Sequence, residues 1–452
     1  MSFRMGIPGV SRSASDHLVI VAGGKGARLA HLFPGLPKAL VPIGGKPVLA
    51  HQLELAAKSG IHTVTILVGY LSQRIAEFVG DGSAFGIDAR ILVESKPLGN
   101  AGALIQNLDT LPDHFFVLYG DVMTAADLPR MGCFHLDRKA DFTCLVHPND
   151  HPLDSDLLEV DDDGRVTAIH AYPHPRDRDF ANLVNAALYV VRRDALRPWS
   201  GHIKNLDFTK DVLSGLLAVG ARVFAYRSSE YARDMGTPKR LERVEADWRA
   251  GMINIAHSGV RPAVFLDRDG TLNIDKGHLR RPEDLELFPR VGEALAALRH
   301  AGFYLVVLTN QSVVARGEAS EHDVAAVHRR LEWELGKAGA YLDGIYVCPH
   351  HPDGGFPGER ANLKIKCECR KPSIGLLERA RRDLSIDMSK SWVIGDQTRD
   401  VEMARRAGLR SILLQTGVAG RDGHFECAAD HVAPDLMQAV EHLLERQQAH
   451  NR

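Results

Sequence analysis

Arg261-Pro262-Ala263-Val264-Phe265-Leu266-Asp267-Arg268-Asp269-Gly270-Thr271-Leu272 is the stretch on which the reading of this chain turns. The apolar run Ala263 to Leu266 reads as a strand that carries Asp267 and Asp269 to its carboxyl end, where Gly270 lets the backbone turn sharply away. One carboxylate placed there can attack phosphorus while the other handles a proton. A bound Mg2+ would suppress their mutual repulsion. Taken alone, D-x-D-G also describes a strand that merely ends in an acidic turn.

Later residues decide against that plain alternative. A second apolar strand, Phe303 to Leu308, ends in Thr309-Asn310-Gln311-Ser312, hydroxyl and amide donors suited to phosphate oxygens. Arg370-Lys371-Pro372 then offers cations ahead of a helical pattern. The strand Ser391 to Ile394 ends in Gly395-Asp396, with Asp400 four residues on. Nucleophile, oxygen donor, cation and further carboxylate thus follow strand ends in order, which is how an active site is assembled on a parallel sheet.

With F-L-D-R-D-G-T-L-N, T-N-Q-S-x-x-A-R-G, C-P-H-H-P, C-x-C-R-K-P and G-D-x-x-x-D all present, residues 261 to about 440 resemble a haloacid-dehalogenase-superfamily phosphatase. Within that superfamily they are most similar to the heptose-bisphosphate phosphatases. The resemblance implies Asp267 as the phosphorylated nucleophile and Asp269 as general acid, then base. It implies Mg2+ on Asp267, the Asp269 carbonyl and Asp396, with Thr309 and Lys371 steadying the transferring phosphoryl group. Asp275, Lys276, Gly277, His278, Asn310, Gln311, Ser312 and Arg370 would face the substrate. Val313 stands where the family usually has Gly, and Gln397 where it often has Lys.

At 452 residues the chain is long for one core and suits two domains of roughly 200 residues each. A net charge of −2 calls for neither nucleic acid nor an anionic membrane as partner. No apolar run approaches the ~18 residues of a membrane span, and the first seventeen residues lack a signal-peptide core, so a cytoplasmic protein is expected. Six cysteines in so long a chain do not form a secreted disulfide framework.

Residues 1–16 read as a flexible tail, 17–249 as one domain, 250–260 as a linker and 261–452 as the second domain. Strand and helix patterns alternate from His17: strands at Thr63 to Val68, Ala89 to Val93 and Phe115 to Tyr119, with helices at Val48 to Lys58, Ser72 to Val79 and Gly99 to Asn107. Leu157 to Val160 and Val166 to Ile169 flank an acidic turn and read as a hairpin. In the second half, helices at Val291 to Ala301, Glu321 to Ala338 and Ser373 to Asp383 alternate with strands. The fold class is therefore α/β, two doubly wound three-layer domains. About 40 residues separate Asp269 from Thr309, too few for a large cap domain, so that pocket should be open.

The first strand runs into Ala22-Gly23-Gly24-Lys25-Gly26-Ala27-Arg28-Leu29, glycines whose amides can close around phosphates beside two cations. Gly99 to Ala103 opens a helix whose amides could meet a nucleoside. Asp121 closes a strand and Asp234 stands before the last helix of this half, and paired carboxylates beside such a loop argue for Mg2+. A-G-G-x-G-x-R-L, P-K-A-L-x-P-I-x-G-K-P, L-G-x-A-G-A-L, Y-G-D and D-x-G-T-P together resemble the sugar-1-phosphate nucleotidyltransferases, with a Rossmann-like mixed sheet. That resemblance implies attack of a sugar 1-phosphate on the alpha phosphorus of a nucleoside triphosphate. Gly23, Gly24, Gly26 and Gly99 would contact the nucleotide, Arg28 and Lys38 would stabilise phosphate charge, and Asp121 and Asp234 would hold Mg2+. Asn185 is carried over as a sugar contact. The family's Glu-Lys-Pro is replaced by His170-Ala171-Tyr172-Pro173-His174-Pro175, which leaves Lys204, Lys210 or His174 open as the sugar-phosphate contact. The stretch His147 to Asp179, rich in His and Pro, fits no metal-ligand spacing and reads as a solvated loop.

Between Val347 and Arg370 lies a long loop without periodicity, bracketed by Cys348-Pro349-His350-His351 and Cys367-Glu368-Cys369. Cys348, His350, Cys367 and Cys369 form a structural Zn2+ set, with His350 preferred over His351 on the family's spacing. The two resemblances together imply an enzyme that first removes the 7-phosphate of a manno-heptose 1,7-bisphosphate and then joins the 1-phosphate to a nucleotide, GMP from GTP. Its partners are small molecules, and the chain is compatible with a homo-oligomer. The rivals are a phosphatase for another small ester fused to an ADP- or UDP-sugar enzyme, and a sensor without turnover.

Overall fold

In the second unit, Ala263–Leu266 sits at the centre of a six-stranded sheet whose order is Gly344–Cys348, Tyr304–Asn310, Ala263–Leu266, Trp392–Gly395, Arg410–Leu414, His431–Ala433. Every pairing is parallel. Side chains alternate along the central strand: Val264 and Leu266 pack with Val291, Leu295, Leu331 and Leu443, whereas Ala263 and Phe265 pack with Leu377, Ala380, Met403 and Ala404. Helices therefore cover both faces, the three-layer arrangement that an unbroken apolar strand demands. The helix Glu321–Lys337 opens with a capping box, Asp323 N donating to Ser320 Oγ at 3.1 Å and Ser320 N to Asp323 Oδ2 at 2.8 Å.

These coordinates are a computed structural model, which describes residues 15–24, 26–161, 163–175, 178–201, 205–253 and 260–450. Lys25, Lys204, nearly all of the expected tail and most of the expected linker lie outside the described residues. The chain divides into two compact units, one of residues 1–147, 156–173 and 184–257, the other of 148–155, 174–183 and 258–452. Among the described residues no helix is long and apolar enough to cross a membrane.

The first unit is built on a nine-stranded sheet. His17–Ala22 lies parallel to both Thr63–Val68 and His114–Tyr119, and Thr63–Val68 is parallel to Asp88–Val93. Val184–Arg192 then joins antiparallel to His114–Tyr119 and to Phe142–His147, so the sheet is mixed where strand alternation alone suggests mostly parallel. The expected hairpin forms, with Val166–His170 antiparallel to Leu157–Val160. A separate two-stranded ribbon, Val122–Thr124 with Ala232–Asp234, has no counterpart in the sequence reading. Its strands are three residues long, below what periodicity reveals.

Two expectations change. The stretch His147 to Asp179 is not uniformly solvated: Asn149 is buried, its N accepted by Asn182 Oδ1 at 3.0 Å and its carbonyl accepting from Asn182 Nδ2 at 2.6 Å. Strand Tyr304–Asn310 runs two residues beyond the apolar pattern, because pairing with Gly344–Cys348 continues through Thr309 and Asn310. That extension carries Thr309 to the sheet edge where Asp267 emerges.

Candidate active sites and metal centre

Asp267 leaves the central strand with its N–H donating to the Ile394 carbonyl at 3.0 Å. Its carboxylate meets Lys371 Nζ at 2.8 Å, and the same ammonium meets Asp400 Oδ1 at 2.7 Å. Asp267, Asp396 and Asp400 converge closely enough to share a cation, their oxygens lying within 4.8 Å of one another. All three are buried, and so is Lys371. Burial, reinforced by Asp400 and Asp269 and opposed by Lys371, pushes Asp267 up to about 6. Burial and then the charge of Asp267 push Asp396 up to about 8. Asp396 Oδ2 accepts from Val418 N at 2.7 Å, while its buried Oδ1 has no partner. Three repelling carboxylates with one orphaned buried oxygen fit a bound divalent cation, which supplies the missing positive charge.

Gly270 is required here. Its φ is +83°, and a Cβ would stand 2.3 Å from Asp396 Oδ2. Thr416 Oγ1 also donates to the Gly270 carbonyl at 2.6 Å, so the loop after Arg410–Leu414 closes over this corner. Nothing in the sequence reading anticipated that loop.

Asp269 is placed differently from Asp267. Arg268, fully buried, donates from Nη2 to both of its oxygens, at 2.9 and 2.6 Å, and from Nε to Oδ1 at 3.0 Å. Asn273 Nδ2 and Gln311 Nε2 add donors at 3.0 and 2.9 Å. Burial alone would raise this carboxyl, but the Arg268 charge and the donated hydrogen bonds outweigh it and hold it below the usual range. Gln311, expected at the substrate, instead donates to Asp269 and to Thr309 Oγ1 at 2.8 Å. Asn310 likewise turns to Lys371, accepting from its N at 3.0 Å and donating to its carbonyl at 3.2 Å. Of Ser312, the carbonyl accepts from Arg316 N at 3.0 Å.

The rim residues lie in an exposed turn: Asp275 Oδ1 accepts from Gly277 N at 2.9 Å, Lys276 pairs with Glu286 and His278 with Glu318. Between Gly270 and Thr309 the chain holds only short turns and the helix Val291–His300, so no cap domain is inserted.

The cysteine-bracketed loop closes on a four-membered cluster. Cys369 Sγ lies 3.2 Å from Cys348 Sγ, from Cys367 Sγ and from His350 Nδ1, and Cys348 Sγ lies 3.6 Å from Cys367 Sγ. A tetrahedron with metal–sulfur bonds of ~2.3 Å has edges of about 3.8 Å, so the set is close to that shape without a metal. His351 is turned away, its Nδ1 accepting from Asp353 N at 3.2 Å. Hydrogen bonding with Cys348, then with Cys367 and His350, outweighs burial and pulls the Cys369 thiol down to about 5. Arg370 Nη1 donates to the His350 carbonyl at 3.1 Å, which ties the cluster to the residue preceding Lys371.

In the first unit a cavity of about 660 Å³ is lined by Gly23, Gly24, Gly26, Arg28, Lys38 and Gly99, with Glu94, Asn100, Tyr119 and Asp121 among its further walls. Lys38 pairs with Asp121. Asp234 takes a bidentate bond from Arg240 Nη1, 2.9 Å to each oxygen, and accepts from Gly236 N at 2.9 Å. The small ribbon brings the two acids together, since Met235 N donates to the Asp121 carbonyl at 2.9 Å. Both carboxylates are therefore already balanced by cations, and among the described residues only the second unit holds clusters of three or more candidate metal ligands.

Asn185 donates to Tyr189 Oη at 3.0 Å and to Thr209 Oγ1 at 3.2 Å, and the Tyr189 ring in turn packs on Tyr119 of the cavity wall. Lys210 belongs to a separate hollow with Trp199, Leu206 and Asp211. His174 is grouped with the second unit, its ring 5.1 Å from Phe180 and 5.8 Å from Trp333. Sequence reasoning missed Glu94 and Arg240. Burial raises the Glu94 carboxyl, although the Leu98 amide opposes it.

Residues 17–250 match the family described as nucleotidyl transferase, and residues 368–439 match the one described as HAD-hydrolase-like. A D-glycero-beta-D-manno-heptose-1,7-bisphosphate 7-phosphatase of Haemophilus ducreyi is 42% identical over 185 residues, covering 40% of this chain and 98% of the relative. A D-glycero-D-manno-heptose-1,7-bisphosphate 7-phosphatase of Thermosynechococcus vestitus is 43% identical over 188 residues, covering 40% of this chain and 94% of that one. Among solved structures, HddC from Yersinia pseudotuberculosis is 22% identical, with a TM-score of 0.45, covering 51% of this chain and 99% of that one.

The carboxylate cluster makes a linked prediction. At pH 7 Asp396, pushed up to about 8, is mostly protonated, and a cation requires it ionised. Mg2+ uptake at pH 7 should therefore expel about one proton per site, and its affinity should climb between pH 6 and 8. Calorimetry in buffers of differing ionisation heat measures this. Uptake that neither releases protons nor depends on pH would contradict the placement of the cation on Asp396.

Proposed function

We propose that this chain, which belongs to the nucleotidyl transferase family and to that of the heptose-1,7-bisphosphate 7-phosphatases, carries out two consecutive phosphorus reactions on one heptose. The observation that carries the proposal is the presence of both families in a single chain. The 1-phosphate left by the phosphatase is the nucleophile that a sugar nucleotidyltransferase needs.

In the second unit Asp267 attacks the 7-phosphoryl group. A phosphorus–oxygen bond forms to its carboxylate, and the bond to the sugar oxygen breaks as Asp269 gives that oxygen a proton. Asp269 then takes a proton from the water that cleaves the aspartyl phosphate. Lys371, steered by Asp400 and by the amide of Asn310, and Thr309 balance charge on the phosphoryl oxygens. Asp267, the Asp269 carbonyl and Asp396 would hold Mg2+, which would supply charge neutralisation at the phosphoryl oxygens. Arg370 and the turn Asp275 to His278 meet the rest of the sugar.

In the first unit the heptose 1-phosphate oxygen attacks the alpha phosphorus of the triphosphate and pyrophosphate leaves. The glycine loop and the amino end of Gly99–Gln106 hold the phosphates and nucleoside, and Arg28 and Lys38 stabilise the leaving group. Asp121 and Asp234 are the Mg2+ carboxylates. Lys38 and Arg240 already neutralise both carboxylates, so Mg2+ held there would supply its charge to the triphosphate rather than to the protein. Glu94 supports GTP as the donor. Its Oε1 faces the cavity beside Gly23, where a Cβ would come within 2.7 Å of it. Guanine presents two adjacent N–H donors to such a carboxylate, whereas adenine pairs one donor with an acceptor.

The Cys348, His350, Cys367 and Cys369 quartet holds Zn2+ in a closed, structural site that fixes the loop leading to Arg370 and Lys371.

Incubating the protein with either anomer of the bisphosphate, GTP and Mg2+ should release phosphate and, with one anomer, pyrophosphate; release of neither overturns the proposal. Glu94→Gln should lower kcat/KM for GTP by about tenfold or more while narrowing the gap to ATP. Unchanged selectivity across a nucleotide panel would remove Glu94 from base recognition. Elemental analysis should find about one zinc per chain, absent from Cys369→Ser. A metal-free wild type with full phosphatase activity would count against the zinc site.

A further inference from the structure

The carboxylate of Asp269 is surrounded more completely than a proton donor in action can be. Its Oδ1 accepts from Arg268 Nε, Arg268 Nη2 and Asn273 Nδ2, and its Oδ2 from Arg268 Nη2 and Gln311 Nε2. With both oxygens taken by donors, no lone pair is left to carry a proton toward a substrate oxygen. Arg268 cannot easily follow Asp269 elsewhere. Its side chain is fully buried, and its remaining arm, Nη1, lies 3.0 Å from His328 Nε2. Since guanidinium only donates, His328 Nε2 is the acceptor in that contact, which leaves the imidazole proton on Nδ1. Burial, helped by the Arg268 charge, keeps His328 neutral and able to accept. His328 itself is fixed on the buried side of the helix Glu321–Lys337.

We infer that Arg268, seated by His328, is a positioning residue that parks the Asp269 carboxylate beside the phosphoryl site between turnovers and defines the place from which it swings to the leaving oxygen. Gln311 touches both Asp269 and Thr309, so the parked position is registered against the phosphate-donor end of Tyr304–Asn310. This inference rests on the proposed role of Asp269 as general acid. His328 touches neither substrate nor reacting atoms in it and acts only through Arg268.

The leaving group separates this role from a merely structural one. An alkyl phosphate such as the heptose bisphosphate needs a proton on its departing oxygen, whereas p-nitrophenyl phosphate does not, and kcat/KM reports only steps through departure. His328→Leu removes the acceptor for Arg268. It should lower kcat/KM for the bisphosphate by about tenfold or more while leaving p-nitrophenyl phosphate within about threefold. His328→Gln, which keeps an acceptor, should restore the greater part of the loss. Retained turnover of p-nitrophenyl phosphate by the same preparations checks that the second unit is folded. A parallel fall for both substrates, an unchanged ratio, or a ratio moved the other way in His328→Leu overturns the inference. Asp269→Asn is the control for the reading beneath it. If that variant leaves the ratio untouched, Asp269 is not the acid; if it shifts the ratio and His328→Leu does not, only the role of Arg268 fails.

Discussion

A lysine ammonium held between two carboxylates, with water excluded, is the interaction on which the second unit depends. Lys371 stands 2.8 Å from Asp267 and 2.7 Å from Asp400, and all three are buried. Removing such ions from water costs several kcal/mol each, and the arrangement survives only if every charge has a well-placed partner. The surrounding structure meets that condition piece by piece. The parallel sheet delivers Asp267 and Asp396 from neighbouring strands. The reciprocal bonds between Asn310 and Lys371 fix the backbone from which the ammonium extends. The cysteine and histidine cluster braces the residues immediately upstream.

The first unit treats its charges differently. Asp121 and Asp234 are brought together by a ribbon of two very short strands, and each is matched to a cation, Asp121 to Lys38 in the wall of a roomy cavity and Asp234 to Arg240. The glycine loop, Arg28 and Lys38 line that cavity, in contrast to the buried acids and lysine of the second unit. One chain therefore carries a closely paired, desolvated charge cluster and an open cavity lined by glycines and cations. The first suits attack by a protein carboxylate; the second suits a transfer in which both reacting groups are ligands.

What the sequence disclosed follows from how local each signal is. Apolar runs that end in Asp267, Thr309 and Asp396 announce strands and their chemistry together, because a buried parallel strand must be apolar up to the residue that leaves the sheet. The Cys348 to Cys369 set was equally plain, since ligand spacing is written along the chain. The partners of Asp269 were not. Arg268 reads as a charge in a turn until the fold buries it against His328, about 60 residues away, and Gln311 reads as a substrate contact until it is seen turned inward. The same holds for Arg240 on Asp234 and for the loop over Gly270. The stretch around Asn149 misled for a related reason, because paired asparagine amides can bury a segment whose composition looks solvated.

The short connection between Gly270 and Thr309 has a kinetic side. Enzymes that shut a domain over their substrate must reopen it, and that motion often governs throughput. Here the pocket mouth is a rim of exposed turns, so no inserted domain has to open or shut over Asp267.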